Sequence, residues 1–264
     1  MKKIIKGLLG QAFINQIRPL KIKYFPNEFQ KESIKRENEA LLKRKKLFSH
    51  YIKQGDLCFD VGANIGNRVG PLLDIGARVV AVEPQKSCYD ILAKKFGDKI
   101  TLVTKGLSDE EGIKKFFISD EPTISSFSEE WINAVKNDRF KDANWDKVVE
   151  IEMTTLDKLI SEFGVPVFIK IDVEGYEVEV LKGLHSAINL ISFEYTVPEQ
   201  TMKVIDCINY IQKANKNIEC NYSIGESMEL ATQNWLSADK MKTYILSEEF
   251  VKTGFGDVYV RTKQ

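Results

Sequence analysis

The segment Asp56-Leu57-Cys58-Phe59-Asp60-Val61-Gly62-Ala63-Asn64-Ile65-Gly66 constrains this chain more than any other. Leu57 to Val61 is a short apolar run bounded by Gly55 and Gly62, the pattern of a strand covered on both faces of a parallel sheet. The chain must then turn at once. Gly62 and Gly66 remove side chains where the backbone turns tightly or approaches a ligand, and Asn64 tolerates unusual dihedrals. Asp60 falls at the carboxyl end of the strand, where open α/β sheets bind ligands.

A dinucleotide fingerprint starting at Gly62 would need glycines where Asn64 and Asn67 stand, so the spacing argues against that class of cofactor. A turn led by a carboxylate suits a cofactor with a positively charged amino-acid end, and S-adenosyl-L-methionine has one. The next strand, Arg78 to Val82, ends in Glu83-Pro84, which places a second carboxylate 23 residues after Asp60, where ribose hydroxyls are taken in mononucleotide-binding halves.

A third apolar run, Val167 to Val173, also ends in carboxylates. With a period of two, Lys170, Asp172 and, if the strand reaches so far, Glu174 share one side. Charges inside a central strand are costly when unpaired, so Lys170 and Asp172 are expected to reach each other, another charge or a ligand.

The rest alternates strands and helices. A helix is expected over 28–54, another over 86–96, strands over 99–104, 113–119 and 148–154, a helix carrying Glu177 to Leu184, a strand over 190–196 containing Glu194, a helix over 199–214, a strand over 218–223, a helix over 237–247 and a last strand over 257–261. This predicts a doubly wound, mostly parallel sheet in an α/β domain over 55–264, preceded by a helical, basic extension over 1–54. Residues 119–147 read as an insert beside the cofactor mouth. It is either a lid or acceptor wall, or a satellite core around Trp131 and Trp145, the commoner use of buried tryptophans.

The net charge of zero argues against a nucleic-acid binder. Residues 1–50 nevertheless carry 13 Lys or Arg against 4 Glu. Cys58, Cys88, Cys207 and Cys220 show no ligand-like spacing with His50 and His185, so no metal site or disulfide framework is expected and a reducing, cytoplasmic setting fits. No stretch of eighteen apolar residues exists. Residues 2–20 have helical apolar spacing with interspersed lysines, which reads as a helix capping this protein or a partner, or, less favoured, as one lying on anionic lipid at the inner face of a membrane. Lys43-Arg44-Lys45-Lys46 reads as a solvated face.

Asp60 to Gly66, Val82-Glu83-Pro84, Leu107-Ser108-Asp109, Thr155-Leu156-Asp157 and Lys170 to Gly175 occur in the order seen in FkbM-type methyltransferases, which the chain resembles over roughly residues 50–200. The Gly254-Phe255-Gly256 turn before the last strand resembles class I methyltransferases, whose seven-stranded Rossmann-like sheet ends on an antiparallel strand. The resemblance implies that Asp60, Gly62, Ala63, Asn64 and Gly66 surround the methionine part of S-adenosylmethionine, that Glu83 holds its ribose, and that Ser108 and Asp109 lie near adenine. It also matches Ser125-Ser126-Phe127 to a serine pair that the family often follows with leucine.

The implied chemistry is methyl transfer to a hydroxyl of a sugar, a glycolipid or polysaccharide, or a natural-product acceptor. Asp172, Glu174 and Glu194 are the candidate catalytic carboxylates, the first two favoured, and His185 is expected to pack or cap. A divalent ion held by Asp172 and a neighbour is a minority alternative. A nicotinamide-dependent oxidoreductase and a non-catalytic cofactor-binding module are the competing classes, and self-association is open.

Overall fold

The computed structural model describes residues 28–263, so the amphipathic segment 2–20 lies outside the described residues. The chain divides after Leu42, and residues from Lys43 onward form one unit. The first described helix, α1 (Glu28–Phe48), stops six residues short of the expected Gln54. His50 and Tyr51 donate to carbonyls only three residues back, Asp56 accepts from the Lys53 amide, and Gly55 takes φ 88°, so the chain has left the helix before the first strand.

From there the elements alternate as the sequence predicts. They run β1 (Leu57–Val61), α2 (Val69–Ile75), β2 (Arg78–Val82), α3 (Lys86–Phe96), β3 (Ile100–Val103), β4 (Gly106–Leu107), β5 (Gly112–Ile118), α4 (Glu129–Val135), β6 (Lys147–Thr154), α5 (Leu156–Phe163), β7 (Phe168–Ile171), α6 (Glu177–Lys182), β8 (Leu190–Thr196), α7 (Thr201–Ala214), β9 (Ile218–Ile224), β10 (Leu236–Ser237), α8 (Ala238–Ile245), α9 (Glu248–Val251) and β11 (Phe255–Thr262).

Eight strands form the main sheet, in the order β10-β9-β11-β8-β7-β1-β2-β3. The five from β3 to β8 are parallel, and β11 runs antiparallel to both β8 and β9. This is the expected doubly wound sheet with an antiparallel last strand, plus a two-residue edge strand, β10, that the sequence reading did not include. Its order reverses between β1 and β2 on one side and β7 on the other, which opens a crevice at their carboxyl ends.

Period-two alternation sorts the buried strands onto two faces. Phe59, Val61, Ile169, Ile171, Phe193 and Val258 pack beneath α5 to α8, whereas Cys58, Val79, Ala81, Phe168 and Leu190 meet Phe48, Ile52 and Leu72 on the other. Cys58 is a core residue, as expected. The four cysteines are free and buried. No described helix is long and apolar enough to cross a membrane.

A second sheet has three strands in the order β4-β6-β5. Residues 119–147 extend from it, and there Trp131, Ile132, Val135 and Ile124 form a separate small core with Trp145 and Phe140. Trp131 and Trp145 meet edge to face at 6.4 Å, so the tryptophans serve packing.

Candidate active site

Each strand that reaches the crevice delivers polar groups for a local reason. After β1, Gly62 adopts φ 79°, and a Cβ there would strike the backbone carbonyl of Asp172. Asn64 is also left-handed, at φ 48°. Bare backbone at Gly62 is what lets β1 and β7 end side by side. Gly66 packs instead against Phe96 and Leu92, so it serves the fit of α3.

Glu83, at the end of β2, accepts the Asn64 amide at 2.8 Å and the Gln85 amide at 2.7 Å, one on each oxygen. Burial pushes its pKa up to about 7 against the pull of these two amides. Each oxygen keeps a lone pair for a further donor.

After β7 the chain turns through Glu174 (φ 53°) and Gly175 (φ 83°). A left-handed glutamate is strained, and three neighbours hold it there. Ser126 Oγ donates to the Glu174 carbonyl at 2.6 Å, and Glu177 Oε1 accepts from the Val173 and Gly175 amides at 3.1 and 3.2 Å. Trp131 fills the space where a Cβ of residue 175 would sit. Ser126 of the serine pair is therefore a clamp on this turn, and Phe127 packs between Phe116 and Tyr176 at 4.6 and 5.5 Å.

The result is one cavity of about 960 Å³, a volume that includes its opening to solvent. Val82, Glu83, Gln85, Gly106 and Leu107 line it with Phe116, Phe127 and Tyr176; Arg68, Asp172, Glu174, Glu194 and Glu226 make up a charged part of the lining, and Gly62 and Asn64 line it as well. Of the residues anticipated around a cofactor, Gly62, Asn64 and Glu83 line the cavity. Asp60 lies one residue below the lining Val61, 1 % exposed, with both carboxylate oxygens unpartnered. Ala63 is buried, and Ser108 and Asp109 stand just past the lining Leu107, Ser108 donating to Asp109 at 2.7 Å.

The three anticipated catalytic carboxylates come together. An oxygen from each of Asp172, Glu174 and Glu194 lies within 4.8 Å of the others, close enough for their charges to interact strongly. Asp172 Oδ2 is 2.7 Å from Arg68 Nη2 and 3.6 Å from Lys170 Nζ. This positive charge already in place favours a proton over a divalent ion. Burial opposes ionisation of Asp172, but Lys170 and Arg68 outweigh it and hold the pKa down to about 2. Glu174 and Glu194 go the other way, raised well above the usual carboxylate range by burial and by the charge on Asp172.

Lys170 finds the partners its place in a central strand demanded. It is 1 % exposed and donates to Asp257 Oδ1 at 2.5 Å and to the Ile171 carbonyl at 3.1 Å. Burial disfavours its charge, yet Asp172 and Asp257 raise its pKa.

Sequence reading missed Arg68, Glu226, Glu177 and Asp257. Only Arg68 had a local signal, a cation two residues after the glycine turn. The solvated-face reading of residues 43–46 fails at Arg44, which is 8 % exposed and donates from Nη2 to Glu226 at 2.7 Å. His185 stands on the surface, its ring and amide on Asp157, a cap as expected.

The doubly wound sheet thus carries a buried carboxylate after β2 and a carboxylate trio along one cavity. Residues 60–224 match the family described as methyltransferase FkbM domain, and the chain belongs to that family. It is similar to the hexuronic acid methyltransferase AglP of Haloferax volcanii, 29 % identical over 145 residues that make up 53 % of this chain; the match spans 55 % of the length of that relative. Among solved structures it is similar to the plantazolicin methyltransferase BpumL in complex with SAH (12 % identity, 96 % of this chain and 99 % of that one, TM-score 0.43). A TehB-like SAM-dependent methyltransferase from Corynebacterium glutamicum is comparable (11 % identity, 90 % and 100 % covered, TM-score 0.41).

Proposed function

We propose that the chain is an S-adenosylmethionine-dependent O-methyltransferase acting on a hydroxyl of a saccharide or related acceptor. The observation that carries this reading is a single cavity lined both by Glu83 and by Asp172, Glu174 and Glu194, the trio marking its acceptor end in this reading. The donor set suits the cofactor: a carboxylate with free lone pairs for a diol, an apolar and aromatic wall at Leu107, Phe116, Phe127 and Tyr176 for adenine, and carboxylates for the ammonium of an amino-acid end. Sugar O-methylation draws support from the relative that is a hexuronic acid methyltransferase.

S-adenosylmethionine, when bound, supplies an electrophilic methyl carbon whose bond to a sulfonium breaks as the bond to the acceptor oxygen forms. Arg68 and Lys170 keep Asp172 ionised as a fixed anion and so set the charge beside the reacting atoms. Glu174 and Glu194 are the groups where protons reside, and their pKa values fall as positive charge enters beside them. One of them then accepts the hydroxyl proton, an assistance worth roughly 10²–10⁴-fold. The sequence reading favoured Asp172 and Glu174 as the base; the two cations on Asp172 shift that role to the glutamates. Residues 55–264 form the catalytic domain in this reading, and Thr123, Ser125 and Phe127 of the insert contribute to the cavity wall.

The test is calorimetric binding of S-adenosylhomocysteine, followed by transfer of labelled methyl from S-adenosylmethionine to purified surface glycans. Retention of NADH with no affinity for S-adenosylhomocysteine would refute the reading.

A further inference from the structure

A chain of alternating charges enters the acceptor end of the cavity from two segments outside residues 60–224. Arg44 of α1 donates from Nη2 to Glu226 Oε2 at 2.7 Å; Glu226 Oε1 lies 3.6 Å from Arg68 Nη2; and the same Nη2 lies 2.7 Å from Asp172. Gly225, at φ 51°, turns the chain just after β9, so that Glu226 follows directly on the strand end. Arg44 holds one of its oxygens, yet the side chain keeps 52 % of its surface exposed where it lines the cavity.

Among the described residues that line the cavity Arg68 is the one cation, and two carboxylates already share it. Lys170 lies behind them at 1 % exposure, committed to Asp257 and Asp172. Among the described residues, a carboxylate or phosphate brought to this end finds no uncommitted positive group, and it must displace Asp172 or Glu226 to win one. Protonation of Glu174 and Glu194 removes repulsion but supplies no cation. A hydroxyl or an ammonium group finds acceptor oxygens in several directions.

We propose that this end selects an acceptor whose reacting hydroxyl has no anionic group beside it, a neutral or amine-bearing sugar in preference to a sugar acid or sugar phosphate, and that Glu226 enforces the choice. The proposal rests on the methyltransferase reading above and names its substrate class. Rejection comes from a placed like charge as much as from attraction to the right partner.

The full-length protein and S-adenosylmethionine are offered matched glycosides: methyl glucoside, methyl glucosaminide and methyl glucuronide, their galacto counterparts, and glucose 6-phosphate. The expected result is a kcat/KM for the neutral or amino sugar about 100-fold above that for the uronide or phosphate of the same ring. Glu226→Gln narrows the gap by about tenfold or more, with S-adenosylhomocysteine affinity reporting that the variant is folded; if it does not fold, the wild-type series decides. Equal rates across charge, a preference for the uronide or phosphate, an unchanged gap in the folded variant, or no turnover of any sugar by protein that binds S-adenosylhomocysteine overturns the proposal. Failure to bind S-adenosylhomocysteine at all overturns the methyltransferase reading instead.

Discussion

Replacing Lys170 by methionine isolates the ion pair on which the acidic end of the site depends. The Lys170 ammonium is buried at 2.5 Å from Asp257, 3.1 Å from the Ile171 carbonyl and 3.6 Å from Asp172. Lys170→Met keeps the length of the chain and removes the charge, so the loss is electrostatic. Asp172 retains Arg68 at 2.7 Å, but Asp257 is left with the Tyr259 hydroxyl at 3.4 Å. The penalty therefore falls on Asp257, and breaking a buried pair in this way costs about 3–5 kcal/mol. For a domain of this size that lowers Tm by about 6–20 °C. Urea unfolding followed by circular dichroism measures it, with an unchanged m value showing that the native state stays compact. Lys170→Met with Asp257→Leu removes both charges and is expected to recover about 2 kcal/mol or more of the loss. A Lys170→Met cost below about 1 kcal/mol, or a double variant no more stable than the single, would refute the assignment of a tightly coupled pair.

Gly62→Ala forces a left-handed alanine against the Asp172 carbonyl, and is expected to cost about 1–3 kcal/mol of stability and most of the cofactor affinity; calorimetry showing wild-type binding would contradict this. Glu83→Gln should weaken S-adenosylhomocysteine at least about tenfold with the fold retained, and equal affinities would remove Glu83 from the ribose site. In the free protein, Glu83 and Glu177 are pushed up to about 7 and Asp60 to about 6, mainly by burial, so each contributes stability at low pH that is lost as pH rises through those values. Tm should fall from pH 5.5 to 7.5, by up to about 1.4 kcal/mol of stability per pH unit per group, and less steeply in Glu83→Gln; a rising Tm contradicts the assignment. Glu174→Gln and Glu194→Gln should each lower kcat, by roughly 10²–10⁴-fold for the one that takes the proton. Unchanged turnover in both would exclude the glutamates as base.

The glycine turn after β1, the carboxylate after β2 and the acidic end of β7 were legible because each is a local pattern: an apolar run, a stop and a polar residue at a strand terminus. Glu194 was readable in the same way. The sequence could not show which charges meet. Arg44 and Glu226 are separated by 182 residues and Lys170 and Asp257 by 87, so their pairing is decided by sheet order and not by spacing. The sharing of roles among the carboxylates was hidden for the same cause, since Asp172 differs from its neighbours only through the two cations beside it. Ser125 and Ser126 were visible as a pair, but their use was not. Ser125 Oγ accepts the Ser119 amide while Ser126 Oγ reaches across 48 residues to the Glu174 carbonyl.

The insertion of β11 between β8 and β9 sets an order on folding. Asp257 lies opposite Glu194 on one side and Ser223 on the other, so the partner of Lys170 arrives with the last strand. A chain emerging from the ribosome can assemble β1 to β8, but it must hold the β8 edge open while β9 is made, and its buried lysine waits until residue 257 is free to enter. Closure of the sheet and arrival of the nearer partner of Lys170 are then one late, long-range event, and a chain that stops before β11 carries both an open strand edge and a buried lysine left with Asp172 as its ion-pair partner.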